Sequence, residues 1–129
     1  MMMLKMKIIS TDLAPKAIGT YSQAIQAGNF LFISGQIPLC PKKMELVEGI
    51  DNQIRQVFEN IKNILEASEM NYGHIVKLTV LLDNLDNFDN VNQIMSEIFE
   101  EPYPARAAYQ VGKLPKGSSV EIETIAFKE

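Results

Sequence analysis

The sequence predicts an α+β domain, a mixed β-sheet with two helices packed on one face. Three observations carry this. Elements alternate as strands, helix, strand, helix, strands. Two segments repeat apolar residues at helical spacing, and the short runs between them are rich in β-branched and aromatic residues. The chain has 129 residues, 47 % hydrophobic and 22 % charged, which is globular composition and predicts one domain over residues 1–129.

Residues 5–10 predict a short strand centred on Ile8 and Ile9. A loop follows, punctuated by Pro15 and Gly19. Residues 20–27 predict a second strand, and Phe30-Leu31-Phe32-Ile33 a third, with Gly28-Asn29 as the hairpin turn. The third run is apolar at every position, which predicts cover on both of its faces. Pro38, Pro41 and Gly49 mark residues 36–50 as loop-rich.

The first helix is predicted over residues 52–68. Ile54, Val57, Phe58, Ile61, Ile64 and Leu65 make one stripe, Asp51 is the expected N-cap, and Asn71-Tyr72-Gly73 the expected stop. Residues 74–83 predict a strand. Asp86 is the expected cap of a second helix over residues 88–99, whose stripe is Phe88, Val91, Ile94, Met95, Ile98 and Phe99. Pro102 and Pro104 forbid its continuation. Residues 106–111 and 119–127 predict the last two strands. In the final one Glu121, Glu123, Ile125 and Phe127 alternate with Val120, Ile122, Thr124 and Ala126. Apolar residues therefore occur on both faces. Two helices cover only one of them, so a partner subunit is expected on the other.

The net charge of -4 argues against a broad nucleic-acid surface. A single cysteine, Cys40, allows no internal disulfide and suits a reducing cytosol. His74 is the only histidine and has no ligand-spaced partner, so no metal site is expected. The apolar start is too short for a signal segment, and no run is long enough to cross a bilayer. A cytoplasmic protein, not associated with membranes, is the expectation.

Chemistry is concentrated near the end of the chain. Arg106 lies in Pro104-Ala105-Arg106-Ala107-Ala108, and Glu121 in Val120-Glu121-Ile122-Glu123. A guanidinium holds a carboxylate through two parallel hydrogen bonds, and a glutamate can steer or activate a water. Taken alone, Arg106 reads as an ordinary ion-pairing residue, and spacing does not choose between Glu121 and Glu123. Ser34 lacks a nucleophile-elbow motif and is no hydrolase serine.

Four segments occur in order: Ile18-Gly19-Thr20-Tyr21-Ser22-Gln23-Ala24-Ile25, Phe32-Ile33-Ser34-Gly35-Gln36-Ile37-Pro38, Pro104-Ala105-Arg106-Ala107-Ala108, and Leu114-Pro115-Lys116-Gly117 running into Glu121. Together they resemble the Rid (YjgF) family, and within it the RidA branch of reactive-intermediate deaminases. The resemblance spans residues 8–128. It implies a chorismate-mutase-like fold, a homotrimer with ligand clefts between subunits, and hydrolysis of 2-imino acids or their enamine tautomers to 2-keto acids and ammonia without a cofactor. It also implies roles. Arg106 clamps the substrate carboxylate, Glu121 sits by the attacking water, and Tyr21, Ser34, Gly35 and Asn92 line the pocket. Thr20 departs from the usual proline, Ala108 from a frequent cysteine, and residues 99–104 from the usual length. These departures bear on pocket shape. Two other readings accompany this one: a module that binds a small carboxylate and regulates a partner, and a ribonuclease or translation inhibitor.

Overall fold

The computed structural model describes residues 6–129; the expected start of the first strand at Lys5 and the apolar leader lie outside that range. The strands are β1 (Met6–Ile9), β2 (Ala24–Ala27), β3 (Phe30–Gln36), β4 (Leu39–Cys40), β5 (Glu45–Leu46), β6 (Ile75–Leu82), β7 (Ala105–Gln110) and β8 (Val120–Phe127). The helices are α1 (Ile50–Ala67) and α2 (Phe88–Ile98). Six strands form one sheet in the order β1-β2-β3-β8-β6-β7, and β4 pairs with β5 in a small hairpin. Only β6 and β7 run parallel. A parallel pair needs a crossover connection, which α2 supplies. The mixed α+β architecture is the one expected.

The β2–β3 hairpin turns through Gly28-Asn29, with Ala27 opposite Phe30. Gly28 has φ +59 there, a left-handed conformation that costs glycine little. Helix α1 buries its whole stripe: Ile54, Val57, Phe58, Ile61, Ile64 and Leu65 are all 0 % exposed. Phe58 also makes edge-on aromatic contacts, its ring 5.7 Å from that of Phe99 and 6.4 Å from that of Tyr72. Truncating Phe58 to alanine would cost about 3–5 kcal/mol.

Three local expectations are corrected. The N-cap of α1 is Gly49, not Asp51, because the helix starts two residues earlier. Asp51 lies in the first turn, where its charge complements the helix dipole, and it accepts a 2.7 Å bond from Asn90 Nδ2 that ties α1 to α2. Asn71 does not stop α1. The helix already ends at Ser68, where Glu69 turns left-handed at φ 59 and the Met70 amide bonds back to the Leu65 carbonyl at 2.9 Å. Asp86 caps nothing. Asn84 Oδ1 takes the Asp86 amide at 2.9 Å and caps a short 3-10 turn, Leu85–Asn87, that feeds into α2.

Both helices cover one sheet face. Leu31, Ile33, Leu78, Val80, Leu82, Val120, Ile122 and Ala126 are buried beneath them. The predicted double cover of β3 is not met within one chain: Leu31 and Ile33 are buried, whereas Phe30 and Phe32 are 43 % and 45 % exposed. The uncovered face carries a continuous row across four strands, Ile8–Ile25–Phe32–Ile125. Phe30 and Phe127 pack 5.0 Å apart beside it.

Candidate functional site

Arg106 stands on the edge strand β7. Its register partner on β6 is Leu78, and that of Leu78 on β8 is Thr124. Residues aligned across a ladder share a face. Leu78 and Thr124 are buried under the helices, so Arg106 projects on the helix side. Helix α2 receives it there. Arg106 Nη1 donates to Asn92 Oδ1 at 2.7 Å and to Met95 Sδ at 3.4 Å, and Cζ sits 4.8 Å from the centre of the Phe88 ring. That cation–π contact is worth about 0.5–2 kcal/mol, rising as water is excluded. Asn92, Met95, Ser96, Tyr103, Pro104 and Arg106 line a concavity of about 400 Å³.

Glu121 belongs to the other side. It is aligned with Leu81 on β6, which is aligned with Tyr109 on β7; this row lies on the uncovered face. Between Ile33 and Gln36, β3 carries one residue more than β8 has between Thr124 and Ile122. The extra residue makes a bulge at Ser34-Gly35, a device that re-aims a strand locally. The Glu121 carboxyl lies directly on Gly35. A Cβ added to Gly35 would fall 2.9 Å from Glu121 Cδ and closer still to Oε2, so a side chain there would displace the acid. Burial against this backbone, and then the nearby Glu123 carboxylate, push the Glu121 pKa above the ordinary carboxylate range.

The bulge also holds the preceding loop. Ser34 Oγ donates to the Ser22 carbonyl at 2.6 Å, and its amide donates to the Gln23 carbonyl at 3.0 Å. Gln23, buried, gathers Thr11, Ala14 and Pro15 through its side-chain amide. Tyr21 folds back so that its hydroxyl accepts the Ile18 amide at 3.3 Å. Tyr21, Ser34, Gly35 and Glu121 thus line one concavity of about 410 Å³, with Ile18, Ile37, Pro115 and Glu123.

The predicted site residues therefore fall into two groups. Arg106 and Asn92 meet on the helix side, and Tyr21, Ser34, Gly35 and Glu121 meet on the open side. Within one chain the groups do not converge: Arg106 is two strands across and three residues along from Glu121, roughly 14 Å between Cα atoms, with side chains on opposite faces. The Ser34 hydroxyl donates its one proton to the Ser22 carbonyl, so toward a ligand it can act only as an acceptor. His74 lines neither concavity, and its Nδ1 accepts the Asn71 amide at 3.0 Å. Sequence reasoning placed Phe88 and Met95 in the helical core stripe; their contacts with Arg106 were not legible. Their i, i+7 spacing, with Asn92 between at i+4, puts all three on one side of the helix, but nothing in the sequence says that an arginine lies across them.

Comparison with known proteins identifies the family and the fold. The family described as Endoribonuclease L-PSP matches residues 11–128. A RutC family protein of Pyrococcus horikoshii is 52 % identical over 124 residues, 95 % of this chain and 98 % of its own. The 2-iminobutanoate/2-iminopropanoate deaminase of Mus musculus is 46 % identical over 123 residues, 95 % of this chain and 91 % of its own. The crystal structure of RidA from an Antarctic Psychrobacter species superposes with a TM-score of 0.93 at 50 % identity, covering 95 % of this chain and 99 % of that one. With the match extending through both halves of the candidate site, the chain belongs to the Endoribonuclease L-PSP family, the YjgF/Rid family that its motifs resemble.

Proposed function

We propose that this protein is a 2-imino acid deaminase, hydrolysing substrates such as 2-iminobutanoate and 2-iminopropanoate to 2-keto acids and ammonia. The observation that carries the reading is a held guanidinium and a desolvated glutamate in a chain 46 % identical to a mouse protein named for that activity. Arg106 takes the substrate carboxylate. Glu121 takes a proton from water as its oxygen attacks C2 of the imine. The new C–O bond converts C=N to a single C–N bond as the proton held by Glu121 passes to nitrogen; the remaining hydroxyl proton then moves to nitrogen through the same carboxylate, and ammonia leaves as the carbonyl forms. No electron is transferred, so the reaction requires no redox cofactor. An iminium carbon is already electrophilic, and positioning plus proton handling suffices.

The same proposal includes a homotrimer. Arg106 and Glu121 lie on opposite faces of one sheet, and the uncovered face is apolar along Ile8–Ile25–Phe32–Ile125. A cleft between subunits would join Arg106 and Asn92 of one chain to Tyr21, Ser34, Gly35 and Glu121 of a neighbour. The small imino or keto acid would be the only ligand. No described helix is long and apolar enough to cross a membrane; a cytoplasmic location is part of the proposal and rests on the single cysteine.

The test couples the protein to a threonine dehydratase and follows decay of the released imine. Acceleration over buffer that is lost in Arg106→Ala supports the deaminase. Binding of 2-ketobutyrate without any acceleration would instead favour the regulatory module. The ribonuclease reading, suggested by the family's description, has less behind it: the chain carries a net charge of -4 and one histidine.

A further inference from the structure

The Arg106 guanidinium is held by three residues of one helix. Phe88, Asn92 and Met95 stand at i, i+4 and i+7 of α2, one stripe facing one way. Arg106 Cζ sits over the face of the Phe88 ring, 4.8 Å from its centre. Asn92 Oδ1 and Met95 Sδ accept from the same nitrogen, Nη1, at 2.7 and 3.4 Å. A guanidinium Nη carries two protons, so these two acceptors use that nitrogen up. Among the described residues, Nε and Nη2 donate to nothing. An arginine can offer a carboxylate either its end, Nη1 with Nη2, or its side, Nε with Nη2, and here the end is already occupied.

We propose that Phe88 and Met95, with Asn92, are positioning residues that lock Arg106 so that it receives the substrate carboxylate side-on, through Nε and Nη2. The inference rests on the deaminase reading for its ligand. Two residues of the helical core stripe then act on ligand geometry: the ring holds the plane, and the sulfur and amide set rotation within it. A lysine at position 106 could not use the device, since an ammonium has neither plane nor edge.

Three variants separate this from a packing role. Phe88→Leu keeps an apolar side chain but loses the π face, Phe88→Tyr keeps the face, and Met95→Leu conserves volume but removes the sulfur acceptor. For imine turnover, Phe88→Leu should raise KM about fivefold with kcat nearly unchanged, and Phe88→Tyr should restore wild-type KM. Met95→Leu should raise KM about twofold, in keeping with a weak sulfur acceptor. The same order should appear in 2-ketobutyrate affinity by calorimetry. A crystal soaked with 2-ketobutyrate should show the carboxylate on Nε and Nη2 with the Asn92 bond intact. Equal KM and equal affinity in wild type, Phe88→Leu and Phe88→Tyr would overturn the lock, as would a carboxylate bridging Nη1 and Nη2 with Asn92 displaced. If the wild type binds 2-ketobutyrate without accelerating imine decay, the deaminase reading falls and the affinity series alone decides the lock. A wild type that neither binds a 2-keto acid nor accelerates imine decay overturns both.

Discussion

The Arg106 and Glu121 regions are built by opposite strategies. Arg106 sits on an edge strand and is gripped by side chains of α2, the helix that connects β6 to β7. Its surroundings are regular structure close in sequence, with partners 11–18 residues away. Glu121 sits beside a bulge and under a loop that runs from Ile18 to Ser22, about a hundred residues earlier in the chain. The first region fixes a permanent charge, and the second tunes a titratable one. Under the proposed function neither is a complete site, since each supplies what the other lacks. Their separation to two faces of one sheet makes catalysis a property of the assembly under the trimeric proposal.

The largest effect comes from breaking each region alone and then combining them. Glu121→Gln should lower kcat about 10²-fold or more, and Arg106→Ala should lower kcat/KM about 10²-fold. Refolding the two inactive chains together in equal amounts should restore about a quarter of wild-type activity, because that share of interfaces receives both intact groups. Recovery at the background level would show that both groups must come from one chain, contrary to their placement.

Gly35→Ala sharpens the comparison from the Glu121 side. The added methyl meets the carboxyl, the mobile end of a side chain, so the acid moves and the fold yields little. Turnover should fall about tenfold or more, while the melting temperature changes by only a few degrees. A large loss of stability with turnover per folded molecule intact would show that the close approach serves packing.

The pH profile is a smaller test of the same region. Under the proposed mechanism Glu121 acts as a base in its carboxylate form, and its pKa is raised by burial and then by Glu123. The rate should therefore fall, as pH is lowered, at a higher pH than an ordinary carboxylate would give, about 4.3. Glu123→Gln removes the like charge and should shift this limb toward lower pH. An unmoved limb would assign it to another group.

The smallest expected effect is on stability. A carboxyl whose folded pKa lies above its unfolded value binds its proton more tightly when folded. It costs stability above the folded pKa, and the cost disappears as pH falls below the unfolded one. Glu121→Gln should thus raise the melting temperature slightly at pH 7 and lose that advantage near pH 4. A destabilised variant at pH 7 would mean that the carboxylate contributes to the fold.

Much of the fold was legible because its signals are local. The stripes of α1 and α2 gave both helices to within two residues, and Gly28-Asn29 gave the hairpin. Capping was misread at Asp51 and Asp86 because cap identity depends on where the backbone turns, and Gly49 and Asn84 were nearer that point. The face of Phe30 and Phe32, expected to be covered, is exposed within the chain, since an apolar run does not say what covers it. The family motifs pointed to Arg106 and Glu121. Their separation to two faces depends on the register of Leu78 and Leu81 between β7 and β8, which is a long-range property. The contacts of Phe88 and Met95 were hidden because a residue that packs against a core and also steadies a cation looks, in sequence, like any other core residue.

The uncovered row Ile8–Ile25–Phe32–Ile125 has a practical corollary. A lone chain would present this greasy strip to water, and its Arg106 and Glu121 would stand apart on opposite faces. Diluting the protein would then silence it and make it adhesive at once. Specific activity should track enzyme concentration, and vessel walls or carrier protein should influence assays run at the lowest amounts.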